Sequence, residues 1–239
     1  MIGIIDIGNT HCKWGIFEGE SLLQFGRTAF GDWFPIQSAH AQYRPEHWLL
    51  ASVRHIPTEE ELGFPFEELN LANQLPVTIA YLTPQTLGRD RLAGVCGAQV
   101  LFKNQACLVI DAGTCITFDL IDHKGVYHGG SISPGIHMRL RAMHEFTGKL
   151  PQVDWEDLAG FMGNDTRSCL LQGVKQGVLG EVGHQIEQYR TKYPNLKVII
   201  TGGDTAFFEK NMKNKIFAAP NLVLTGLNAI HLYKKSLNA

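Results

Sequence analysis

The sequence has 239 residues, of which 44% are hydrophobic and 18% are charged, with a formal net charge of −2 at pH 7. This length allows one large domain or two domains of about 120 residues each. A nearly neutral chain without a long Lys/Arg run gives no reason to expect nucleic acid or an acidic membrane as a partner. It also lacks the run of about 18 apolar residues that a membrane-spanning helix needs.

The cysteines predict reduced core thiols in a cytoplasmic protein, because their number is odd and no two form a C-x-x-C pair. They are Cys12, Cys96, Cys107, Cys115 and Cys169. No signal peptide is expected, since the N-terminus lacks a basic region and its apolar run breaks at Asp6. The histidines form no H-x-H or H-E-x-x-H pair, so we expect no zinc site.

Tight turns join the strands predicted near the N-terminus, and the chain from residue 28 to residue 87 has a less regular pattern. Helical spacing of apolar residues then predicts a helix. The predicted elements are strands over Ile2 to Asp6, His11 to Phe17, Leu22 to Arg27 and Trp48 to Val53, an acidic helix around Thr58 to Glu61, a short strand over Val77 to Tyr81 and a helix over Leu92 to Phe102.

The second half begins with the same pattern of strands and turns as the first. The predicted elements are an apolar strand from Ala106 that ends in the D-A-G-T turn, strands over Cys115 to Ile121 and Val126 to Gly130, a helix that starts at Ser133-Pro134-Gly135, a longer helix capped by Asp165 or Thr166, a strand over Lys197 to Thr201 and a closing helix over Leu222 to Leu232.

Each half opens with a strand that ends in an aspartate and a glycine turn. The two aspartates, Asp6 and Asp111, lie 105 residues apart (111 minus 6). A strand–turn–strand unit that occurs twice predicts two similarly built halves with a cleft between them.

The longer helix contains Gly173, Gly177, Gly180 and Gly183. Each glycine costs about 1 kcal/mol relative to alanine inside a helix. Four of them therefore predict that another backbone approaches this helix closely.

Asp6 and Asp111 have two interpretations. A single D-x-G is most often an ordinary turn aspartate. Two of them in matching positions favour a nucleoside triphosphate site, in which turn amides and Asn or Thr side chains hold phosphate oxygens. Carboxylates beside phosphate repel it, so this interpretation implies a metal cation.

The G-R-D-R segment contains a third aspartate, Asp90, between Arg89 and Arg91. Asp90 is either the N-cap of the following helix or an acceptor for a substrate hydroxyl proton, and the two roles are compatible. The arginines suit a substrate that carries a carboxylate. Gly88 permits a close approach of the chain.

Two glycine-rich segments follow. The first, Gly129 to Gly135, is either a tight strand-to-helix loop or a place where the backbone approaches substrate at a helix N-terminus. The second, Thr201 to Asp204, is either a simple turn or a flat surface for a nucleobase.

Together these segments resemble the type III pantothenate kinases, members of the acetate kinase/sugar kinase/Hsp70/actin superfamily. The motifs that carry the resemblance are DIGNT with Lys13, GRDR, DAGT, GGSISPG and TGGD, in the family's order. The resemblance implies an α/β fold of two actin-like (ribonuclease H-like) subdomains, each a mixed sheet with flanking helices, over residues 1–105 and 106–239. It also implies a cleft between them.

The resemblance assigns a role to each motif residue. Asp90 would be the catalytic proton acceptor, and Asp111 would bind K⁺ or NH₄⁺. The ATP phosphates would be held by Asp6, Ile7, Gly8, Asn9, Thr10, His11, Cys12, Lys13 and Thr114, with Asp6 acting through Mg²⁺. Pantothenate would be bound by Tyr81, Gly88, Arg89, Asp90, Arg91 and Thr166.

The implied activity is transfer of the ATP γ-phosphoryl group to pantothenate, the first step toward coenzyme A, by a cytoplasmic homodimer. Two alternatives stay open. Other enzymes of the superfamily, such as sugar kinases or exopolyphosphatases, use the same scaffold, but the GRDR segment argues against them. A regulatory, non-catalytic relative is the other alternative, and retention of all three aspartates argues against it.

Overall fold

The computed structural model describes residues 1–70 and 75–237. The chain divides into two compact units. The first comprises Met1–Asn104, Ile121–Gly129 and Asn221–Ala239, and the second comprises Gln105–Leu120 and Gly130–Pro220. The expected subdomains, 1–105 and 106–239, include residues 71–74, 238 and 239, which lie outside the described residues. These bounds stay a prediction, and the compact units differ from them because segments 121–129 and 221–239 cluster with the first unit.

The first unit contains a mixed sheet of order β3-β2-β1-β4-β5, in which β1 runs antiparallel to β2 and parallel to β4. Its elements are β1 (Ile2–Ile7), β2 (His11–Glu18), β3 (Ser21–Ala29), α1 (Phe34–Tyr43), β4 (His47–Ser52), α2 (Glu59–Leu62), β5 (Glu67–Glu68), β6 (Thr78–Ile79), a 3₁₀ turn (Pro84–Thr86), α3 (Arg89–Leu101) and α7 (Leu222–Leu237).

The second unit contains strands in the order β11-β10-β7-β8-β9, with β7 and β11 parallel to β10. Its elements are β7 (Cys107–Ala112), β8 (Cys115–Ile121), β9 (Val126–Pro134), α4 (Ile136–Glu145), α5 (Thr166–Lys192), β10 (Lys197–Thr201), α6 (Thr205–Asn211) and β11 (Phe217–Ala218). Ile121 and the first residues of β9 cluster with the first unit, where β6 pairs with Val126 and Tyr127 of β9.

Five strands of each sheet have the same order when each sheet is counted from its first strand, and the second sheet has β6 as a sixth strand beside β9. β3-β2-β1-β4-β5 in one sheet corresponds to β9-β8-β7-β10-β11 in the other. Asp6 and Asp111 each occupy the second-to-last position of a six-residue strand. The predicted repeat and the α/β class, with two mixed sheets and flanking helices, are confirmed.

The central strands β1, β4 and β7 are buried along nearly their whole length and supply much of the core of each unit. Ile5, Ile7 and Trp14 pack with Trp48 and Leu50 in the first unit. The second unit has its own core, to which β7, β8, β10 and the apolar stripe of α5 contribute. No helix in the described ranges has an apolar stretch long enough to cross a membrane.

Several observed elements differ from the predictions. Helix α3 begins at Arg89 rather than Leu92, so the G-R-D-R segment forms its first turn. The strand expected over Val77 to Tyr81 is reduced to β6. Strand β9 continues to Pro134, so the GGSISPG segment is mostly strand rather than loop. Helix α1 lies where no helix was expected, and it buries Ile36 and Ala39.

The GGSISPG segment remains a strand because its glycines allow neighbouring backbone to lie close. A Cβ atom added to Gly130 would lie 1.7 Å from the carbonyl oxygen of Phe118 on β8. A side chain on that face would therefore push the strands apart.

The prediction for the glycines of α5 is wrong within the described chain. A Cβ atom added to Gly173 or Gly180 would meet nothing within 4 Å, and one added to Gly177 or Gly183 would meet only the end of a side chain. Close backbone contact occurs instead between α3 and α7. There a Cβ on Gly226 would lie 1.7 Å from the carbonyl oxygen of Ala93.

The cysteine prediction is correct in part. Cys12, Cys96 and Cys107 are buried free thiols, as expected of core residues. Cys115 is half-buried and Cys169 is exposed. Burial raises the pKa of the Cys107 thiol to about 12, so it stays protonated at neutral pH.

Asp157 ties the irregular segment after α4 to two helices of the second unit. Its carboxylate accepts hydrogen bonds from Lys175 Nζ at 2.6 Å, Lys210 Nζ at 2.7 Å and Asn211 Nδ2 at 3.3 Å. The hydrogen bond from Lys175, which is largely buried, is the main reason that the pKa of Asp157 falls to about 2. The folded state therefore favours the charged carboxylate.

We expect Asp157→Asn to lower the free energy of unfolding near pH 7 by on the order of 1 to 2 kcal/mol. A carboxyl group whose pKa is lower in the folded than in the unfolded state stabilises the fold at pH values above its unfolded-state pKa. That stabilisation is lost as the pH falls through the folded-state pKa. The difference between wild type and variant should therefore shrink from about pH 4 to about pH 2. Urea unfolding of wild type and variant across this pH range measures the difference, and Asp154→Asn in the same segment is the control. A difference that did not depend on pH would contradict the assignment.

Candidate active site

The N-terminal turn links β1 to β2 through Gly8, Asn9 and Thr10. The Gly8 amide donates to the carbonyl oxygen of His11 at 3.0 Å, and Asp6 pairs in register with Lys13 across the two strands. Asp6 is only 8% exposed, whereas Asn9 and Thr10 are exposed. The turn therefore places a nearly buried carboxylate beneath exposed polar side chains, which is the arrangement expected of a phosphate-binding turn.

Basic side chains surround this turn. Arg54 Nη1 donates to the carbonyl oxygen of Asn9 at 3.0 Å, and Arg27 contacts the imidazole of His11 at 2.7 Å. Burial lowers the pKa of His11, and the charges of Arg27 and Lys13 lower it further. Positive charge therefore exceeds negative charge here, which suits a polyphosphate.

Two residues of the predicted ATP-binding segment could contact a ligand only through their backbone. The side chains of Ile7 and Cys12 are fully buried. Burial, with a smaller contribution from the charge of Asp6, raises the pKa of the Cys12 thiol to about 11. Cys12 is therefore a neutral core residue beside the turn.

Asp90 lies in the first turn of α3 and is not its N-cap. The N-cap position belongs to Gly88, which makes no side-chain capping bond. Asp90 Oδ1 accepts the amide hydrogen of Arg91 at 2.8 Å, and a Cβ on Gly88 would lie 2.5 Å from that oxygen. Glycine at position 88 thus leaves room for the carboxylate at the positive end of the helix, where a negative charge is stabilised.

Tyr81 and Arg91 contact each other, as expected if both line one site. The Arg91 guanidinium lies 5.9 Å from the centroid of the Tyr81 ring, and Tyr81 stacks on Tyr127 with ring centroids 6.1 Å apart. A Cβ on Gly129, which has φ of +85°, would lie 2.9 Å from the Tyr81 ring. The absence of a side chain at Gly129 therefore leaves room for the Tyr81 ring.

Arg89, the other arginine of the segment, forms an ion pair with Glu68 of β5. The two side chains are 29% and 40% exposed, respectively. The sequence pattern alone offered no signal for Glu68, because the residue belongs to no motif.

In the second unit the D-A-G-T turn is held by backbone on both sides. The Gly135 amide donates to the carbonyl oxygen of Thr114 at 3.0 Å, and the Asp204 amide donates to that of Ala112 at 2.9 Å. A Cβ on Gly202, which has φ of +95°, would lie 2.4 Å from Asp111 Oδ1. The T-G-G-D segment therefore lies beside the Asp111 carboxylate, and the end of the GGSISPG segment lies against the backbone of the turn.

The donor atoms near these turns fit hard cations. Asp6 and Asp111 supply carboxylate oxygens, and the described residues contain no cluster of three His, Cys, Asp or Glu side chains that could hold a metal alone. Mg²⁺ in nucleotide sites is usually held by one or two carboxylates together with phosphate oxygens and water. The residues present fit Mg²⁺ or a monovalent cation bound together with a nucleotide.

Thr166 is the first residue of α5 and lines a cavity of about 610 Å³. The sequence left either Asp165 or Thr166 as the N-cap of α5. The N-cap is Asp165, whose carboxylate accepts a hydrogen bond from the Ser168 amide at 3.0 Å. The cavity is mostly apolar. Its lining residues are Met143, Leu150, Gly163, Asn164, Asp165, Thr166, Cys169, Leu170 and Gly173.

The structure brings several predicted residues together. In the first unit, residues 6–13 comprise the end of β1, the turn and the start of β2. Gly88 lies against the Asp90 carboxylate, and Tyr81 contacts Arg91, the residue after Asp90. In the second unit, Asp111 and Thr114 share the D-A-G-T turn, and Thr166 lies on a different element, α5. Arg54 was not predicted, although its position just after β4, the strand parallel to β1, was a usable signal.

The chain matches the model of the family described as type III pantothenate kinase over residues 4–188. It belongs to the type III pantothenate kinase family. A relative from Bacteroides fragilis, named type III pantothenate kinase, is 40% identical over 235 residues, which cover 96% of this chain and 97% of that one. A relative of the same name from Cytophaga hutchinsonii is 39% identical and covers 96% and 98% of the two chains.

Solved structures show the same fold at low sequence identity. A Campylobacter jejuni protein, named for the Baf family of transcriptional activators, has a TM-score of 0.62 and 20% identity, covering 99% of this chain and 100% of that one. A ROK family glucokinase from Streptomyces griseus, in complex with glucose and AMPPNP, has a TM-score of 0.51 and 13% identity. The match covers 98% of this chain and 99% of that one. The actin-like fold of sugar kinases expected from the sequence is therefore confirmed.

Proposed function

We propose that this chain transfers the γ-phosphoryl group of ATP to the primary hydroxyl of pantothenate, giving 4′-phosphopantothenate, the first step of coenzyme A biosynthesis. The observation that carries the proposal is the first turn of α3, where Asp90 stands beside an Arg91 that is stacked on Tyr81. Membership of the type III pantothenate kinase family supports the choice of substrate.

The nucleotide side of the site is assigned to the two aspartate turns. Residues 6–13 would hold the phosphates through the exposed amides and side chains of the turn, with Lys13 and Arg54 nearby to balance charge. Thr114, exposed in the second turn, would donate to ATP. Fixed donors and charges of this kind supply most of the rate acceleration in phosphoryl transfer.

In the reaction, the Asp90 carboxylate accepts the proton of the pantothenate hydroxyl while the hydroxyl oxygen attacks the γ-phosphorus of ATP. The bond from this phosphorus to the bridging β–γ oxygen breaks, and ADP leaves with that oxygen. Tyr81, Gly88 and Arg91 would position pantothenate, and Thr166 is assigned to it by the resemblance. Arg89, which the resemblance also assigns to pantothenate, forms an ion pair with Glu68 instead. Positioning of the hydroxyl is the main contribution expected of these residues.

Cations complete the proposed site. Asp6 would hold Mg²⁺ through a water molecule or directly, and Asp111 would hold K⁺ or NH₄⁺. When bound, these ions would neutralise charge on the phosphates and polarise the transferred group. The carboxylates of this chain alone would repel ATP, so activity should require added cations.

We further propose a cytoplasmic homodimer with no nucleic-acid or membrane partner. The substrates ATP and pantothenate are small soluble molecules. Among the residues that the structure describes, a Cβ added to any of the four glycines of α5 would meet no backbone of another element within 4 Å, which leaves this helix face available to a second copy. Sedimentation of the purified chain tests the oligomeric state.

The test of function is ADP production by the purified chain with ATP, Mg²⁺ and K⁺, with and without pantothenate. We expect ADP only when pantothenate is present, together with a phosphorylated product that mass spectrometry identifies. ADP without pantothenate would favour a phosphatase, and ADP only with a sugar would favour a sugar kinase. No ADP under any condition would favour a regulatory, non-catalytic protein.

A further inference from the structure

Helix α3 begins without a side-chain cap. Its N-cap residue is Gly88, and among the described contacts the first turn is closed by the Leu92 amide donating to the carbonyl oxygen of Gly88 at 3.2 Å. Helix ends are normally stabilised by capping side chains that satisfy the free backbone amides. The turn that carries Asp90 therefore needs other contacts to hold it in place.

Two such contacts lie on either side of Asp90. Arg91 stacks on Tyr81, and Arg89 forms an ion pair with Glu68 on β5. Each arginine thus connects the first turn of α3 to a different segment of the first unit. Asp90 lies between them, so its position depends on both connections.

Strand β5, which carries Glu68, is held in place by contacts of Glu67 on its opposite face. Consecutive strand residues point in opposite directions, and Glu67 accepts hydrogen bonds from Lys234 Nζ at 2.7 Å and His47 Nε2 at 3.1 Å. The hydrogen bond from Lys234 is the main reason that the pKa of Glu67 is lowered. Glu68 is therefore attached to a strand that is fixed against α7 and β4.

We propose that Glu68 is a positioning residue of the reaction, acting through Arg89 to hold the turn that presents Asp90. The inference rests on the proposed function, and it gives a role to a residue outside every recognised motif. It also assigns the Arg89 guanidinium to Glu68 rather than to the carboxylate of the substrate.

The two roles of Arg89 make opposite kinetic predictions. If Arg89 bound the substrate carboxylate, Arg89→Gln would raise the KM for pantothenate and Glu68→Gln would have little effect. If the pair positions Asp90, both variants should lower kcat by about 10-fold, since small displacements of reacting groups are costly. The double variant should then be no slower than either single variant.

The decisive variant exchanges the partners, Glu68→Arg with Arg89→Glu. It restores an ion pair of reversed polarity, so we expect kcat to return to within about threefold of wild type. Glu67→Gln is the matched control, because it breaks the neighbouring ion pairs on the other face of β5 but leaves the backbone pairing of β5 with β4 in place. Since that pairing still holds the strand, the kcat of this variant should stay within about twofold of wild type. An exchanged variant as slow as the single variants, or a Glu68→Gln variant with wild-type kcat, would overturn the proposal.

Hydrogen exchange tests the same inference without relying on turnover. The amides of Arg91 and Leu92, which bond to Asp90 and to the Gly88 carbonyl, should exchange faster in Glu68→Gln than in wild type and Glu67→Gln. Unchanged exchange would count against the proposal. A wild-type chain that makes no ADP from ATP and pantothenate would refute the proposed function instead, and the exchange result would still decide the role of Glu68.

Discussion

Asp90→Asn is expected to reduce pantothenate turnover by about 10²- to 10⁴-fold, the usual range for loss of a general base. Asparagine has nearly the same shape as aspartate but cannot accept the hydroxyl proton. Its side-chain oxygen can still accept the Arg91 amide, which lies 2.8 Å from the aspartate oxygen in the wild type. The first turn of α3 should therefore keep its structure while the chemistry fails.

Steady-state kinetics with varied pantothenate and varied ATP measure this effect. We expect the KM for ATP to change little, because the nucleotide is assigned to other residues. Asp154→Asn, on an exposed site of the second unit, controls for loss of one negative charge. A variant that retained most of its kcat would show that Asp90 is not the base.

Gly226→Ala is expected to destabilise the fold strongly. The new Cβ would lie 1.7 Å from the carbonyl oxygen of Ala93 and 2.9 Å from the amide nitrogen of Gly97. Both atoms belong to the backbone of α3, so relief requires separating α7 from α3. Overpacking of this kind costs about 1 to 3 kcal/mol, and more where the neighbour is backbone.

Urea unfolding measures the change in the free energy of unfolding caused by Gly226→Ala in α7, and Gly180→Ala in α5 is the matched control. A Cβ on Gly180 of α5 would meet no atom of another element within 4 Å in the described chain. Alanine there should stabilise the isolated chain by up to about 1 kcal/mol through helix propensity. The Gly226 variant should also lose kcat, because α3 carries Asp90. Equal effects of the two substitutions would contradict the packing of α3 against α7.

The motifs were predictable because each uses residues whose local chemistry is distinctive. An aspartate that ends an apolar strand before a glycine turn is an unusual pattern, and its repetition at Asp6 and Asp111 predicted two similarly built halves. Apolar runs located β1 and β7, period-two alternation located β8, and the apolar stripe located α5. The family, and with it the actin-like fold, followed from the order of the motifs.

The assignments that failed concern contacts between distant parts of the chain. Four glycines in one helix could not reveal whether another backbone lies beside them. Within the described chain the close approach belongs to Gly97 and Gly226, because α3 and α7 are the helices that pack together. Helix propensity is a local property, whereas the space beside a glycine depends on which element the fold places there.

The sequence by itself determined the repeated strand unit, the aspartate turns and the family, since these depend on residue type and order along the chain. Only the tertiary structure decided that Asp90 lies inside the first turn of α3, that Arg91 rests on Tyr81 and that Arg89 pairs with Glu68. Glu68 lies 21 residues from Arg89 along the chain. No local pattern links the two, because an ion pair across that separation exists only once β5 and α3 are packed in one unit.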